Sequence, residues 1–210
     1  GRAFYHKSFT EGLEGDDQIV GMRIQRNTLR NRISTGFIHG GEDFRSDLGF
    51  IRRTGVMKIT PEYTYRIYPK NPDVNNYSFT QRGFFVYDTS RNYLMTDRVY
   101  KTTIRKSFLN SSSLSFEYNN RYVYLTSNFD PTRTPDGTKL PSDICYRYDD
   151  AEFSYRSDQR KRLNFDSKIS YGTFYNGTKF TLENEIKWRK QPILNASMII
   201  NFNSIVLPNP

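Results

Sequence analysis

The sequence predicts an all-β chain of about ten long strands, forming part of an antiparallel up-and-down transmembrane β-barrel. Three observations lead there. Apolar and polar residues alternate with a period of two over runs of about 11–14 residues, whereas strands of water-soluble domains run about 5–6. The polar positions carry charge of both signs. Long and short connections between the runs largely alternate, as when successive turns fall at opposite ends of a barrel. The composition fits. The 210 residues are only 36% apolar, yet include 16 tyrosines and 16 phenylalanines. A barrel confines its apolar band to every second position, so its average hydropathy reads as water-soluble.

The runs follow in order along the chain. Weaker alternation marks 19–29 and 32–39. In 56–68, Met57, Ile59, Tyr63, Tyr65 and Ile67 oppose Lys58, Thr60, Glu62, Thr64 and Arg66. Pro61 interrupts that run and predicts a late start, a bulge or a free edge, because proline donates nothing to a ladder. Runs 76–88 and 98–109 are weaker. In 113–126, Leu114, Phe116, Tyr118, Tyr122 and Tyr124 oppose Ser115, Glu117, Asn119 and Arg121. After a weaker run at 144–155 comes the clearest hairpin. Leu163, Phe165, Ile169, Tyr171 and Tyr175 share one face before Asn176-Gly177, and Phe180, Leu182, Ile186 and Trp188 share one after it. Asn-Gly predicts a type I′ turn, whose central residues need positive φ. A last run spans 193–206. Residues 1–18 are expected as a loop or incomplete strand, and 19–210 as the barrel domain.

The connections 40–55, 89–97 and 127–143 are long, and those near 69–75, 110–112, 156–161 and 190–192 are short. By the usual arrangement of outer-membrane barrels, the long set faces the cell exterior and the short set the periplasm. The tight turn at 176–177 falls in the long set and breaks the trend.

Composition excludes other classes. Aromatic richness argues against disorder, and no apolar window reaches the ~18 residues of a membrane helix. One cysteine, Cys145, excludes a disulfide framework and a Cys-rich zinc site. Two histidines, His6 and His39, leave little for His-based catalysis, and no cofactor is expected. The charge of +9 raises nucleic acid, but aromatics at period two read better as a sheet face than as a stacking platform, so no nucleic-acid partner is expected. Asp16-Asp17 and Asp149-Asp150 lack the spacing of a calcium loop and read as solvated turns.

Two stretches carry a resemblance. GGEDFRSDLGFIRRTG (40–55), with Asp43, Phe44, Gly49, Phe50, Arg53 and Gly55, and QPILNASMIINFNSIVLPNP (191–210) resemble the C-terminal barrel domain of an outer-membrane family found mainly in Bacteroidota. That domain has no agreed function. In the family it follows an N-terminal domain similar to carbohydrate-binding module family 9. The resemblance implies a bacterial outer-membrane location and a saccharide association. The final Leu207-Pro208-Asn209-Pro210 is unlike a closing strand, so a fragment lacking its closing strands is expected.

The expected function is that of a membrane-spanning channel, or an accessory subunit of an outer-membrane assembly, for a saccharide-like or anionic solute. It is not expected to be an enzyme. Glu183, Glu185, Lys187 and Arg189 share the polar face and are expected as lumenal charges; the neighbouring cations make a charge ladder a better reading than a catalytic carboxylate pair. Arg52 and Arg53, in a long connection, are expected rim contacts to lipid A or a partner. Expected partners are outer-membrane lipid, lipopolysaccharide and other outer-membrane proteins. The competing reading is a water-soluble all-β module whose tyrosine-rich face binds glycan or protein.

Overall fold

Alternation at period two places successive side chains on opposite faces of a strand, so a chain of such runs joined by turns builds a two-faced sheet. In the computed structural model, which describes residues 1–9, 15–45, 53–132, 137, 139–190 and 192–208, eleven antiparallel strands form one sheet in strict sequence order. They are β1 (Arg2–Lys7), β2 (Gln18–Asn27), β3 (Asn31–Gly40), β4 (Val56–Ile67), β5 (Val74–Asp88), β6 (Leu94–Phe108), β7 (Ser113–Tyr124), β8 (Cys145–Arg156), β9 (Leu163–Phe174), β10 (Gly177–Lys190) and β11 (Leu194–Val206). The short β1 adds to the ten runs legible in the sequence. The sheet is open: among the described residues β1 pairs only with β2 and β11 only with β10.

The connections 8–17, 41–55, 89–93, 125–144 and 175–176 lie at one end, and 28–30, 68–73, 109–112, 157–162 and 191–193 at the other. No connection of the second set exceeds six residues. These are called the long-loop end and the short-turn end.

The register is staggered. One cross-strand row runs Asn27–Arg32–Thr64–Thr80–Thr103–Glu117–Glu152–Ser170–Thr181–Asn203. It starts at the short-turn end of β2 and finishes nine residues above that end of β11, nine strand steps later. One residue per strand, at a rise of about 3.3 Å against a spacing of about 4.8 Å, is a tilt of about 35°. Every residue of this row is polar. The row beside it is apolar: Tyr65, Phe79, Ile104, Phe116, Phe153, Ile169, Leu182 and Phe202 are successive partners on eight neighbouring strands.

Among the described residues nothing covers that apolar face. Phe79, Ile104, Phe116, Phe153, Ile169 and Phe202 are all exposed. The chain exposes 14367 Å², against about 10,000 Å² for a compact folded monomer of this mass. Most of the buried hydrophobic side chains gather under the long loops, where Phe44, Val56, Val86, Leu125, Leu140 and Tyr148 are buried; Val74 is buried at the short-turn end. The apolar face also has polar interruptions: Gln81 accepts a 2.7 Å hydrogen bond from Thr102, and Asn184 stands opposite Ser167.

One local expectation is narrowed and one corrected. Of the three outcomes expected at Pro61, β4 neither starts late nor bulges, and the structure matches the third, since the β4–β5 ladder lacks the pairs at Thr60 and Pro61. Pro61 pairs with Thr35 on one side, while on the other the ladder passes from Ile59–Phe85 to Glu62–Arg82 without a change of register. Gly83 faces Pro61 there, and a Cβ on Gly83 would lie 3.0 Å from the proline Cγ and closer still to the Phe85 ring. The hairpin turn is Tyr175-Asn176, not Asn176-Gly177. Gly177 already pairs with Phe174, and the positive φ (53°) falls on Tyr175. Gly177 is needed for a different reason: a Cβ there would collide with the Val206 carbonyl oxygen of β11. Tyr175 is held by rings instead, with centroids 4.8–5.7 Å from Phe174, Tyr148, Tyr146 and Phe129.

Candidate functional site

Because side chains alternate, most of the strands' charged residues fall on the face opposite the apolar row, while Arg98, Lys106, Arg147 and Asp149 stand on the apolar row's own face. Register then decides which charges meet. Across β3, β4 and β5, Glu62 takes Arg32 at 3.6 Å and Arg82 at 2.7 Å. Lys101 of β6 meets Glu117 of β7 at 2.6 Å, and Arg121 of β7 meets Asp150 of β8 at 2.8 Å. Lys168 of β9 sits between Glu152 of β8 (3.4 Å) and Glu183 of β10 (3.3 Å). Asp166 takes Arg156 at 3.1 Å and Lys187 at 3.9 Å, and Lys187 also meets Glu185 at 2.8 Å. These pairs form a charge ladder across eight strands. Buried Asn119 stitches it together, donating from Nδ2 to Glu117 at 3.2 Å and to Asp150 at 2.7 Å.

Glu183, Glu185 and Lys187 thus stand in this ladder beside Lys168 and Asp166, two residues the sequence reading did not single out. Arg189 shares their face, but its guanidinium donates to the Gln159 carbonyl in the turn 157–162. Neither Glu183 nor Glu185 stands as a free carboxylate pair, since each is bound to a lysine. The signal for Lys168 was present as one more polar position of period two. Its role needs the register, which the sequence does not display.

The rim residues divide. Arg52 lies outside the described residues. Arg53 turns to the strand ends at the long-loop side, donating to Thr96 Oγ1 (3.2 Å), Asp97 (3.3 Å) and Asp88 (3.5 Å). It ties the loop 41–55 to β5 and β6. At the other end, in the turn 157–162, hydrogen bonds from Arg160 hold the Asp158 carboxyl below its usual range, and that carboxylate raises the Arg160 guanidinium in turn. Asp149-Asp150, expected as a solvated turn, lies within β8, where the two point to opposite faces and cannot share a cation: Asp149 accepts from Tyr118 and Asn120, and Asp150 from Asn119 and Arg121.

Three of the recesses among the described residues bear on function, and all three open on the charged face. One, of about 480 Å³, lies over β6–β11 and includes Glu152, Lys168, Glu183 and Glu185. A second, of about 430 Å³, lies over β3–β7 between Arg66, Arg82 and Arg105. A third, of about 320 Å³, lies near the long-loop end of β7–β11, beside Arg121, Tyr148 and Phe174. All three are lined mainly by charged, hydroxyl and amide side chains, which suits hydrated polar solutes. No group of three or more His, Cys, Asp or Glu side chains among the described residues is placed to hold a metal ion. No protein-family model matches the chain, and no curated protein or solved structure shows significant similarity to it.

Proposed function

We propose that this chain is a wall of a bacterial outer-membrane β-barrel, with the apolar row toward lipid and the charge ladder toward a hydrated lumen. Its role is non-enzymatic: it conducts or holds a saccharide-like or anionic solute, alone or as an accessory subunit of a larger outer-membrane assembly. The observation that carries the reading is the apolar row from Tyr65 to Phe202, six of whose eight residues are exposed, set directly behind a face on which many of the charges are paired with one another. In water, that row forfeits about 25 cal/mol for every Å² of apolar surface left uncovered; in lipid it is the favourable face. Strand lengths of ten to fifteen residues from β2 to β11, and the tilt derived from the register, suit a membrane crossing. The resemblance of residues 40–55 and 191–210 to Bacteroidota outer-membrane domains points to the same location.

Closure has a parity condition. With eleven antiparallel strands, β1 and β11 run in the same direction, so a wholly antiparallel barrel needs an odd number of further strands. Those strands come from the same polypeptide or from a partner. The long loops face outward and contact lipopolysaccharide and neighbouring outer-membrane proteins.

The test is fractionation of the protein from its native host membrane. The reading expects sedimentation with outer membranes, resistance to carbonate or urea washes, and release only by detergent. Protein that remains in solution without detergent overturns it and favours a water-soluble glycan- or protein-binding module.

A further inference from the structure

Arg66 and Arg105 stand outside the charge ladder. The recess over β3–β7 has Arg32, Arg66, Arg82, Lys101 and Arg105 against only Glu62 and Glu117. Both carboxylates are already committed, Glu62 to Arg32 and Arg82, and Glu117 to Lys101, Thr103 and Asn119. Among the described residues no carboxylate or carbonyl accepts from the side chain of Arg66 or Arg105. The two stand on one cross-strand row, Arg66–Ser78–Arg105, with the serine on the strand between them. Their Cα atoms are therefore about 10 Å apart, twice the strand spacing. Ser78, Asn76, Thr80 and Ser107 line the same recess. All lie toward the short-turn end of β4, β5 and β6.

We propose that this recess is an oxyanion site, in which Arg66 and Arg105 close from two sides on a phosphate or sulfate group of a small solute and Ser78 supplies a hydroxyl between them. The physical reason is the asymmetry of the face. Along the ladder Arg32, Arg82, Lys101, Arg121, Arg156, Lys168 and Lys187 each meet a carboxylate. Here two forked guanidinium donors face a hydroxyl-rich hollow with no free carboxylate, and fork geometry suits tetrahedral oxyanions. A neutral sugar would leave both charges unmatched. The inference deepens the reading above, because it takes the charged face to be the one that solute reaches; under that reading the site sits at the periplasmic mouth.

The test is titration of the full-length protein, solubilised in detergent, with inorganic phosphate, pyrophosphate, sulfate and glucose, followed by calorimetry at low and high salt. Saturable, salt-sensitive binding of the oxyanions is expected, with none of glucose. The double variant Arg66→Ala/Arg105→Ala should weaken it by about tenfold or more, the loss expected for hydrogen bonds to a charged group. Arg105→Lys should retain part of the affinity, since it keeps the charge and loses the fork. Arg156→Ala, which removes a cation already paired with Asp166, should leave binding unchanged. Among the described residues neither Arg66 nor Arg105 holds an ion pair, so the single variant Arg66→Gln provides a second reading with minimal structural change. Wild-type protein that does not saturate with any of the three oxyanions, or variants that bind as wild type does, overturns the site. Protein that binds phosphate through these arginines yet stays in solution without detergent overturns the membrane reading and leaves the site standing. Protein that integrates into membranes and binds no oxyanion does the reverse.

Discussion

Asn119 shows how single residues carry this sheet. It is 1% exposed, and its amide donates to two carboxylates on neighbouring strands. Asn119→Leu removes both donors from charged acceptors and should cost about 1–3 kcal/mol, read as a lower denaturant midpoint with unchanged strand content. A residue on the opposite face tests the solvent rather than the network. Ile169 lies mid-strand in the exposed row, between Phe153 and Leu182. In lipid, Ile169→Arg should cost about 2–4 kcal/mol; on a sheet face bathed in water the same change costs little, so refolding into vesicles separates the two. In the turn 157–162, Arg160 depresses the Asp158 carboxyl below its ordinary value of 3.8. A lowered folded value means that the pair stabilises the turn above pH 3.8 and that this contribution fades as pH falls through the folded value. The difference in thermal midpoint between the wild type and Asp158→Asn should therefore be present at pH 5 and shrink steadily toward pH 2. A difference that holds constant over that range would show that the carboxylate contributes nothing.

At the scale of elements, close approach of neighbouring backbones fixes several positions. A Cβ on Gly172 would collide with the backbone of Asp149 and Asp150, where β8 and β9 make their last pair before the long-loop end. Gly172→Val should push β8 and β9 apart there, at a cost of about 1–3 kcal/mol. It should also unseat the ring contacts of Tyr148 with Phe174 and Tyr175, lowering the near-ultraviolet circular dichroism while the far-ultraviolet signal persists. These elements also show what the sequence could and could not convey. β4, β7, β9 and β10 were legible because their apolar positions alternate strictly, and the short turns because little sequence separates the runs. β1 was not, since Phe4 and Tyr5 are adjacent and Phe4 lies over Gly21 on the charged face. Asn-Gly indicated the hairpin at β9–β10 but misplaced its turn by one residue, because a cluster of distant rings around Tyr175 overrides the local preference. The polar positions of β10 were legible as a set. Their pairing with Lys168 and Asp166, and the isolation of Arg66 and Arg105, depend on cross-strand register, which composition and spacing do not contain.

The whole molecule poses a single question of solvent. Its surface exceeds that of a compact monomer by about 4,000 Å², and the excess follows from eleven strands forming one layer with, among the described residues, no second layer against them. Such a sheet needs a cover on its apolar side, and lipid and protein covers predict different accessibility at alternate residues. Cys145 is exposed and must first be replaced by serine so that it does not react. Cysteines can then be introduced one at a time along β9: Phe165 and Ile169 on the apolar face, Lys168 and Ser170 on the charged one. With the protein in membranes, a charged water-soluble maleimide should label positions 168 and 170, and a lipid-partitioning reagent should label 165 and 169. Burial of the apolar face under a second protein layer would instead protect 165 and 169 from both reagents. Full reaction of all four positions with the charged reagent would mean that water reaches both faces, and no lipid-facing wall could be built from this sheet. The alternation along one strand is its own control, because neighbouring residues share the same depth and differ only in the face they occupy.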